Sequence, residues 1–323
     1  MFAYVLGRLL RGVPLLLGLS VVIFSLIHAA PGGPLTVYLS NPNVRPEDIA
    51  RLEKALGLDQ PLHEQYLSWL AAFLKGDWGY SYVDGRSAFE RVMERVPATL
   101  ELMATAFLFA LVLAVAVGSL AALKRGRTDR VLSVVSFIGI SMPTFWLGLI
   151  LQLIFAVELR WFPSAGRLGP MGNDWIDRVQ HLALPVCTLA VLYASSWMRY
   201  VRASLIEVFA SRFVEAGRAR GNSERRLLFR HALPNALIPL STVLGLDLAL
   251  LFSGAVVTET VFAWPGMGSL LVESVYRRDY SVLMGILMSG SVLIVATNLA
   301  TDVLYGWLDP RVRLVTSRAA GEA

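Results

Sequence analysis

The sequence predicts an all-α polytopic membrane protein with six transmembrane helices. Of its 323 residues, 55% are hydrophobic and 16% are charged, and the mean hydropathy is +0.58. A soluble protein carries about 25% charged residues, and here the apolar excess is concentrated in long segments. A bilayer crossing needs about 20 apolar residues, and each crossing must be helical because lipid cannot satisfy backbone hydrogen bonds. The predicted spans are 9–30, 98–123, 131–158, 182–204, 236–258 and 282–307.

The individual spans carry features that predict their shapes. The first span follows basic residues and has the look of a signal peptide, but no small-x-small cleavage site follows His28. Since five more spans come after it, we expect a retained membrane anchor. The third span contains Met142-Pro143, which should kink it. Glycines in the fifth and sixth spans favour close contacts between helices.

The distribution of basic residues predicts the orientation. They are concentrated before the first span, between the second and third spans, after the last span, and after the fourth span, where eight Arg lie between positions 199 and 230. Loops 159–181 and 259–281 carry fewer. Both termini are therefore predicted to be cytoplasmic. The predicted organisation is an N-terminal helix at 1–30, an extracytoplasmic insert at 31–97, a five-helix core at 98–310 and a cytoplasmic tail at 311–323.

The insert at 31–97 is the one sizeable segment outside the predicted spans. Its pattern predicts two amphipathic helices, at 46–56 and 62–74, followed by a turn with two aromatic residues. Two interpretations remain open: a cap that packs on the membrane helices, or a docking surface for a soluble binding protein. The candidate docking residues are Tyr66, Trp69, Trp78 and Tyr80.

The segment 212–234 is polar and rich in arginine, and it lies between two apolar spans. Its apolar residues recur at roughly helical spacing, which Gly221-Asn222-Ser223 interrupts. Gly221 should adopt a backbone angle closed to other residues, and Asn or Ser can cap a following helix. The pattern predicts two short amphipathic helices with a sharp bend, a shape suited to docking against another protein. The alternative is a basic segment attracted to anionic lipid.

This segment resembles the EAA loop of permease subunits of binding-protein-dependent ABC importers. That loop has Glu-Ala-Ala, a Gly six residues after the Glu, and a later Leu-Pro. The matching residues are Glu215, Ala216, Gly217, Gly221, Leu233 and Pro234. Two residues depart from the pattern, since Gly217 replaces the second Ala and His231 replaces an Ile. The run at 231–236 is nevertheless the form typical of peptide-importer permeases.

The resemblance extends over nearly the whole chain. It points to the dipeptide, oligopeptide and nickel permease branch, and to the subunit with the large extracytoplasmic loop. Gly33 stands where that branch often has Asp. The other matching segments are 8–10, 31–34, 56–62, 76–79, 141–146, 258–268 and 278–280.

The resemblance implies a fold, partners and a solute. The fold would be the type I ABC importer (MetI-like) permease fold, with an additional first span. The partners would be a second homologous permease, two cytoplasmic ATPase subunits coupled through 212–234, and an extracytoplasmic solute-binding protein, in the lipid of the cell inner membrane. The solute would be a short peptide, with a nickel complex, glutathione or an oligosaccharide as alternatives.

The sequence lacks the motifs of an enzymatic site. No Lys is followed by Ser or Thr as in a phosphate-binding loop, and neither Gly-x-Ser-x-Gly nor His-Glu-x-x-His occurs. The four His are widely spaced, and Cys187 is the single cysteine. We therefore expect no catalytic residue, no metal, no cofactor and no nucleic-acid partner. An ion-coupled secondary transporter, which would need inverted repeats and several midplane carboxylates, and a membrane-embedded enzyme are the less favoured alternatives.

Asp247 lies near the middle of the fifth predicted span. An ionised Asp at that depth costs about 2.5–3.5 kcal/mol, so the residue should face the path between the two permeases. There it would contact the amino group of a passing peptide or hydrogen-bond to the partner permease. An interhelical polar contact is the alternative. The residues near the same face by helical spacing are Ser241, Leu244, Leu248 and Leu251.

Overall fold

The computed structural model describes residues 2–29, 57–169 and 175–308, and residues 47, 51 and 54 singly. This described part is helical and contains no β-strand. The predicted all-α class is confirmed. Most of the predicted helix at 46–56 and the whole tail at 311–323 lie outside the described residues.

Helices account for most of the described chain. Among the described residues, and apart from a bent pair, the helices long and apolar enough to cross a membrane are Leu6–Ala29, Ala88–Leu123, Trp175–Phe209, Glu224–Val261 and Tyr280–Thr301. The full order is α1 (Phe2–Ala29), α2 (Leu62–Leu74), α3 (Ala88–Leu123), α4 (Arg127–Ser141), α5 (Thr144–Glu158), α6 (Trp175–Phe209), α7 (Arg212–Ala219), α8 (Glu224–Val261), α9 (Met267–Arg277) and α10 (Tyr280–Leu308). The stretches Gln152–Glu158 of α5 and Leu227–Ala232 of α8 are π-helical.

The predicted kink in the third span is a complete break. Helices α4 and α5 meet at Met142-Pro143 with an angle of 105°. Proline has no N–H and disfavours helical backbone at the residue before it, and Met142 accordingly has φ −78° and ψ 126°. Segment 131–158 is therefore two helices, and the described chain has six candidate spans only if this pair counts as one.

The chain divides into two compact units. Unit 1 consists of Met1–Thr99 and Pro265–Val295, and unit 2 consists of Leu100–Trp264 and Ala296–Ala323. The first boundary lies close to the predicted one at 97/98, but 265–295 groups with the N-terminal part instead of with the predicted core. The boundaries at 99/100 and 295/296 fall within α3 and α10, and the boundary at 264/265 falls between α8 and α9.

The core of unit 2 is built around α6. Trp197 is fully buried, and its ring contacts Phe107 of α3 edge-on at 5.2 Å and Tyr193 at 5.6 Å. The close approach of α3 to α6 depends on a glycine, because a Cβ at Gly118 would lie 2.8 Å from the carbonyl oxygen of Met198. Small residues at such crossings allow helix backbones to come together. These contacts hold α6 in place against α3.

Candidate functional site

The segment 212–234 contains helix α7, a tight turn and the first turns of α8. At the end of α7, the Gly221 N–H donates to the Arg218 carbonyl at 2.9 Å and the Asn222 N–H donates to the Gly217 carbonyl at 3.3 Å. This pair of hydrogen bonds is a Schellman motif, whose turn residue adopts left-handed backbone. Gly221 has φ +77°. The prediction that Gly221 needs a backbone angle closed to most residues is confirmed.

The second half of the segment is not a separate short helix. The Ser223 hydroxyl caps it by accepting a hydrogen bond from the Arg226 N–H at 3.4 Å, and helix α8 then runs through Pro234 to its end. The proline fits because the π-helical stretch Leu227–Ala232 lies directly before it, and such turns absorb local disruption of the regular hydrogen-bond pattern. The prediction of two short helices is therefore wrong for the second one, which is the beginning of the fifth span.

Side-chain contacts fix the angle at the bend. Arg218 of α7 donates two hydrogen bonds to the carboxylate of Glu224 of α8, from Nε to Oε1 at 2.6 Å and from Nη2 to Oε2 at 3.1 Å. The bond to Glu224 raises the pKa of Arg218, and the charges of Glu224 and Glu215 add to the effect. Leu227 packs so closely on Gly217 that a Cβ there would lie 2.7 Å from its Cδ2 atom. These contacts join α7 to the first turns of α8.

One face of this segment is buried and the other is available to a partner. Val214 and Leu227 are buried, whereas Phe213 and Phe229 are 50% and 59% exposed. Glu215 is exposed, and within the described residues its carboxylate makes no ion pair. Exposed aromatic rings are enriched in binding surfaces. Of the six residues predicted to couple, Glu215, Ala216, Gly221 and Pro234 are exposed, and Gly217 and Leu233 are half-buried.

Asp247 contacts a helix of its own chain. Its Oδ2 atom accepts a hydrogen bond from the Trp197 indole N–H of α6 at 2.6 Å, within unit 2. The arrangement is the interhelical polar contact, which was the alternative to a place on the path, and it uses one of the two carboxylate oxygens.

The other residues assigned to the path divide between two environments. Leu251 is fully buried in the core of unit 2, and Leu244 packs against that core. In the described chain Leu251 therefore lies inside unit 2, and its place on the path stays a prediction. Ser241 and Leu248 are half-buried, and the Ser241 hydroxyl donates to the Ile238 carbonyl of its own helix at 2.6 Å.

The aromatic residues of the insert at 31–97 form a packed cluster in unit 1. The Tyr66 hydroxyl lies 2.8 Å from the Ser20 hydroxyl of α1, Trp69 contacts Phe24 at 5.9 Å between ring centres, and the Trp78 ring is stacked 4.6 Å from that of Phe73. Tyr66, Trp69 and Trp78 thus make the contacts expected of a cap that packs on neighbouring helices. Tyr80 is 66% exposed and is the docking candidate that these contacts leave available.

Two successive stretches of the chain match family models of the same kind of transport protein. Residues 114–314 match the family described as binding-protein-dependent transport system inner membrane component. Residues 1–103 match the N-terminal region of the same kind of membrane component. The chain belongs to this family. It is therefore a multi-pass component of the inner membrane, as the sequence predicted.

Curated relatives resemble this family member over almost its full length. The oligopeptide transport system permease protein AppB of Bacillus subtilis is 38% identical over 316 residues, 97% of this chain and 99% of that protein. The di/tripeptide transport system permease protein DppB of Pseudomonas aeruginosa is 37% identical over 333 residues, again 97% and 99%. The glutathione transport system permease protein GsiC of Salmonella choleraesuis is 38% identical over 314 residues, with the same coverage.

A solved structure shares the fold of this family member. It is a structure of the MetNI methionine ABC transporter in an inward facing conformation. One of its chains superposes on this chain with a TM-score of 0.56 and a sequence identity of 21%. The match covers 68% of this chain and 96% of that one. The predicted MetI-like permease fold is confirmed.

A buried ionic cluster in unit 1 was missed by the sequence reasoning. Asp279 is 1% exposed and accepts hydrogen bonds from the Ser81 hydroxyl at 2.5 Å, the Tyr82 N–H at 3.2 Å and Arg91 Nη1 at 3.3 Å. Burial raises the pKa of the neighbouring Asp84, but hydrogen bonds from Arg86 and Ser81 and the charge of Arg91 hold it below its usual value. The segment 278–280 carried the family resemblance, but its partners lie almost 200 residues earlier in the chain.

Proposed function

We propose that this chain is the permease subunit of an ATP-driven importer of short peptides. With a second, homologous permease it forms the path for a solute that an extracytoplasmic binding protein delivers. Two cytoplasmic ATPase subunits bind the 212–234 segment and drive the transport cycle. The observation that carries this proposal is the 37–38% identity over 97% of the chain to permeases named for oligopeptide and di/tripeptide transport.

The geometry of 212–234 supports the coupling role. Helix α7 offers Phe213 and Glu215 to a partner, while Val214 anchors the opposite face. The Schellman turn and the Arg218–Glu224 contact join α7 to α8 as one body. When the ATPase subunits close on ATP, α7 moves with them, and α8 changes its tilt because the bend is not free to absorb the motion.

The solute class follows from the relatives, and one of them favours a second candidate. The likeness to the glutathione permease protein is as high as that to the peptide permeases. Glutathione is itself a small peptide, so both candidates need a path for a short polar chain with a free amino group and a carboxylate. Glutathione uptake is therefore the second candidate function.

The substrate is tested by reconstituting the complete transporter in proteoliposomes with its own binding protein. We expect ATP-dependent accumulation of labelled di- and tripeptides, and unlabelled peptides should compete with the labelled ones. Accumulation of glutathione without competition by other tripeptides would favour the second candidate. Accumulation of neither would contradict the proposed substrate class.

The orientation is tested with reporter fusions. A fusion at Asp84, in an exposed outer loop, should have periplasm-type activity, and a fusion at Gly321 should have cytoplasm-type activity. The physical reason is the surplus of arginine in the loops assigned to the cytoplasm. Cytoplasm-type activity at Asp84 would reverse the assigned orientation and move 212–234 away from the ATPases.

The Arg218–Glu224 contact is tested by reversing its charges. Both side chains are partly exposed, and exposed ion pairs contribute about 0.2–1 kcal/mol. We expect Arg218→Glu or Glu224→Arg alone to reduce coupled transport by up to about fivefold, since about 1.4 kcal/mol corresponds to tenfold. The double reversal should restore most of the activity. A double variant no better than the worse single variant would show that the contact does not hold the bend.

A further inference from the structure

A groove runs along one face of α4 in unit 2. It consists of two cavities that share Phe137. The first, of about 500 Å³, is polar and lies against α6, where Ser196 and Arg199 line it. The second, of about 540 Å³, is apolar and reaches Met142 and Trp146 at the break between α4 and α5. The groove therefore has one polar end and one apolar end.

The length of the groove follows from helix geometry. Ser133 of the polar cavity, Phe137, and Ser141 of the apolar cavity are four residues apart along α4, so they lie on one face and span about 12 Å at 1.5 Å per residue. The apolar walls are accessible, since Phe137, Ile138 and Trp146 are 55%, 50% and 45% exposed. An elongated molecule could lie along this face with its tail toward the helix break.

The polar end carries a positive charge that the described residues do not neutralise. Two arginines of α6 line it. Arg202 is neutralised by Asp129, with Nη2 to Oδ2 at 2.6 Å. Arg199 stacks on the Phe137 ring at 4.6 Å, and within the described residues it makes no ion pair. Its guanidinium keeps its hydrogen-bond donors for a ligand, because a cation–π contact uses the face of the group and not its N–H edges.

An open apolar surface that adjoins a cation, on one helix of a broken candidate span, matches one class of ligand. Anionic phospholipids carry a phosphate that arginine binds well and acyl chains that fill apolar grooves. We propose that the groove binds an anionic phospholipid, with its phosphate at Arg199 and an acyl chain along Phe137 toward Trp146. The bound lipid would brace α4 against α6, the helix that continues toward the 212–234 segment.

The test is retention of lipid by the purified, complete transporter, measured by native mass spectrometry. After delipidation, phosphatidylglycerol or phosphatidylcholine is added at matched concentration. We expect the wild type to retain phosphatidylglycerol preferentially. Arg199→Gln should weaken its retention about fivefold, as expected for one cation near an anionic lipid. Arg199→Lys keeps the charge and should retain the lipid within about twofold of wild type.

A matched control removes the same charge from elsewhere. Arg125 is exposed in the loop before α4, and Arg125→Gln should leave the retained phosphatidylglycerol unchanged. Equal loss in Arg125→Gln, or equal retention of both lipids, would reduce the site to general attraction between basic loops and anionic lipid and would overturn the proposal. So would displacement of the lipid by inorganic phosphate at constant ionic strength, which indicates a simple anion site.

A photo-cross-linking residue at Ile138 distinguishes the lipid from a protein occupant. Ile138 lines the apolar cavity. An adduct with phosphatidylglycerol supports the proposal. An adduct with the second permease would instead assign this face to contact between the two permeases.

Discussion

Gly221→Val is expected to abolish most coupled transport while the complex still assembles. Valine is β-branched and strongly disfavours the left-handed backbone that Gly221 adopts at φ +77°. Holding a non-glycine residue there costs about 1–3 kcal/mol, which corresponds to roughly a 5- to 150-fold shift in an equilibrium. A Cβ at this position meets no neighbour within 4 Å, so the effect comes from the backbone. We expect ATP hydrolysis to continue with little transport, measured together in proteoliposomes.

The chain offers a closely matched control for this variant. Gly76 ends α2 with the same pair of hydrogen bonds, from Gly76 N–H to Phe73 and from Asp77 N–H to Ala72. Its φ is +86°, and the space around a Cβ is equally open. Gly76→Val imposes the same strain in unit 1 and should leave the ratio of ATP hydrolysed to solute transported unchanged. Gly221→Asn should restore coupling, because Asn tolerates this backbone. Full coupling in Gly221→Val would show that the bend needs no fixed angle.

Asp247→Leu is expected to destabilise unit 2 by about 1–3 kcal/mol, the usual cost of a buried donor left without its acceptor. The donor is the indole N–H of Trp197, which is fully buried. Asp247→Asn retains an oxygen that can accept the same hydrogen bond, so its thermal unfolding should be close to that of wild type. The measurement is thermal unfolding of the assembled transporter in detergent.

The same variants separate the structural role of Asp247 from a role on the path. Trp197→Phe removes the donor, and a double-mutant cycle with Asp247→Leu should show a coupling energy between the two sites. If Asp247→Asn is as stable as wild type but transports peptide poorly, the charge acts on the solute. If it transports normally from pH 5 to 8, the interhelical contact is its whole role. Independent, additive effects of Trp197→Phe and Asp247→Leu would contradict the observed contact.

Local patterns predicted the helices well because their causes are local. Apolar length marked the spans, and Pro143 marked the position of a break. The severity of the break was underestimated, because the 105° angle depends on what the two helices pack against and not on the proline alone. Similarly, the second of the two short helices predicted within 212–234 is the start of a long one, because a π-helical stretch just before Pro234 allows α8 to continue.

Partners distant in the chain could not be predicted from one sequence. The Trp197–Asp247 bond and the Ser81–Asp279 bond join residues that are 50 and 198 positions apart. Helical spacing placed Asp247 on a face with Leu244 and Leu251, but it carried no information on which neighbour covers that face. The aromatic stripe of α2 was ambiguous for the same reason, since a packed cap and a docking surface have the same periodicity.

The central claim is that 212–234 binds the ATPases, and a site-specific cross-link tests it most directly. Cys187 is the single cysteine, so a Cys187→Ser background allows one new cysteine to be labelled with a photoactivatable benzophenone. Phe213→Cys lies on the exposed face of α7, and Tyr80→Cys is an exposed control in the insert at 31–97. The account predicts an adduct between position 213 and an ATPase subunit whose yield changes with ATP, and none from position 80. No ATPase adduct from position 213, or equal adducts from both positions, would contradict it.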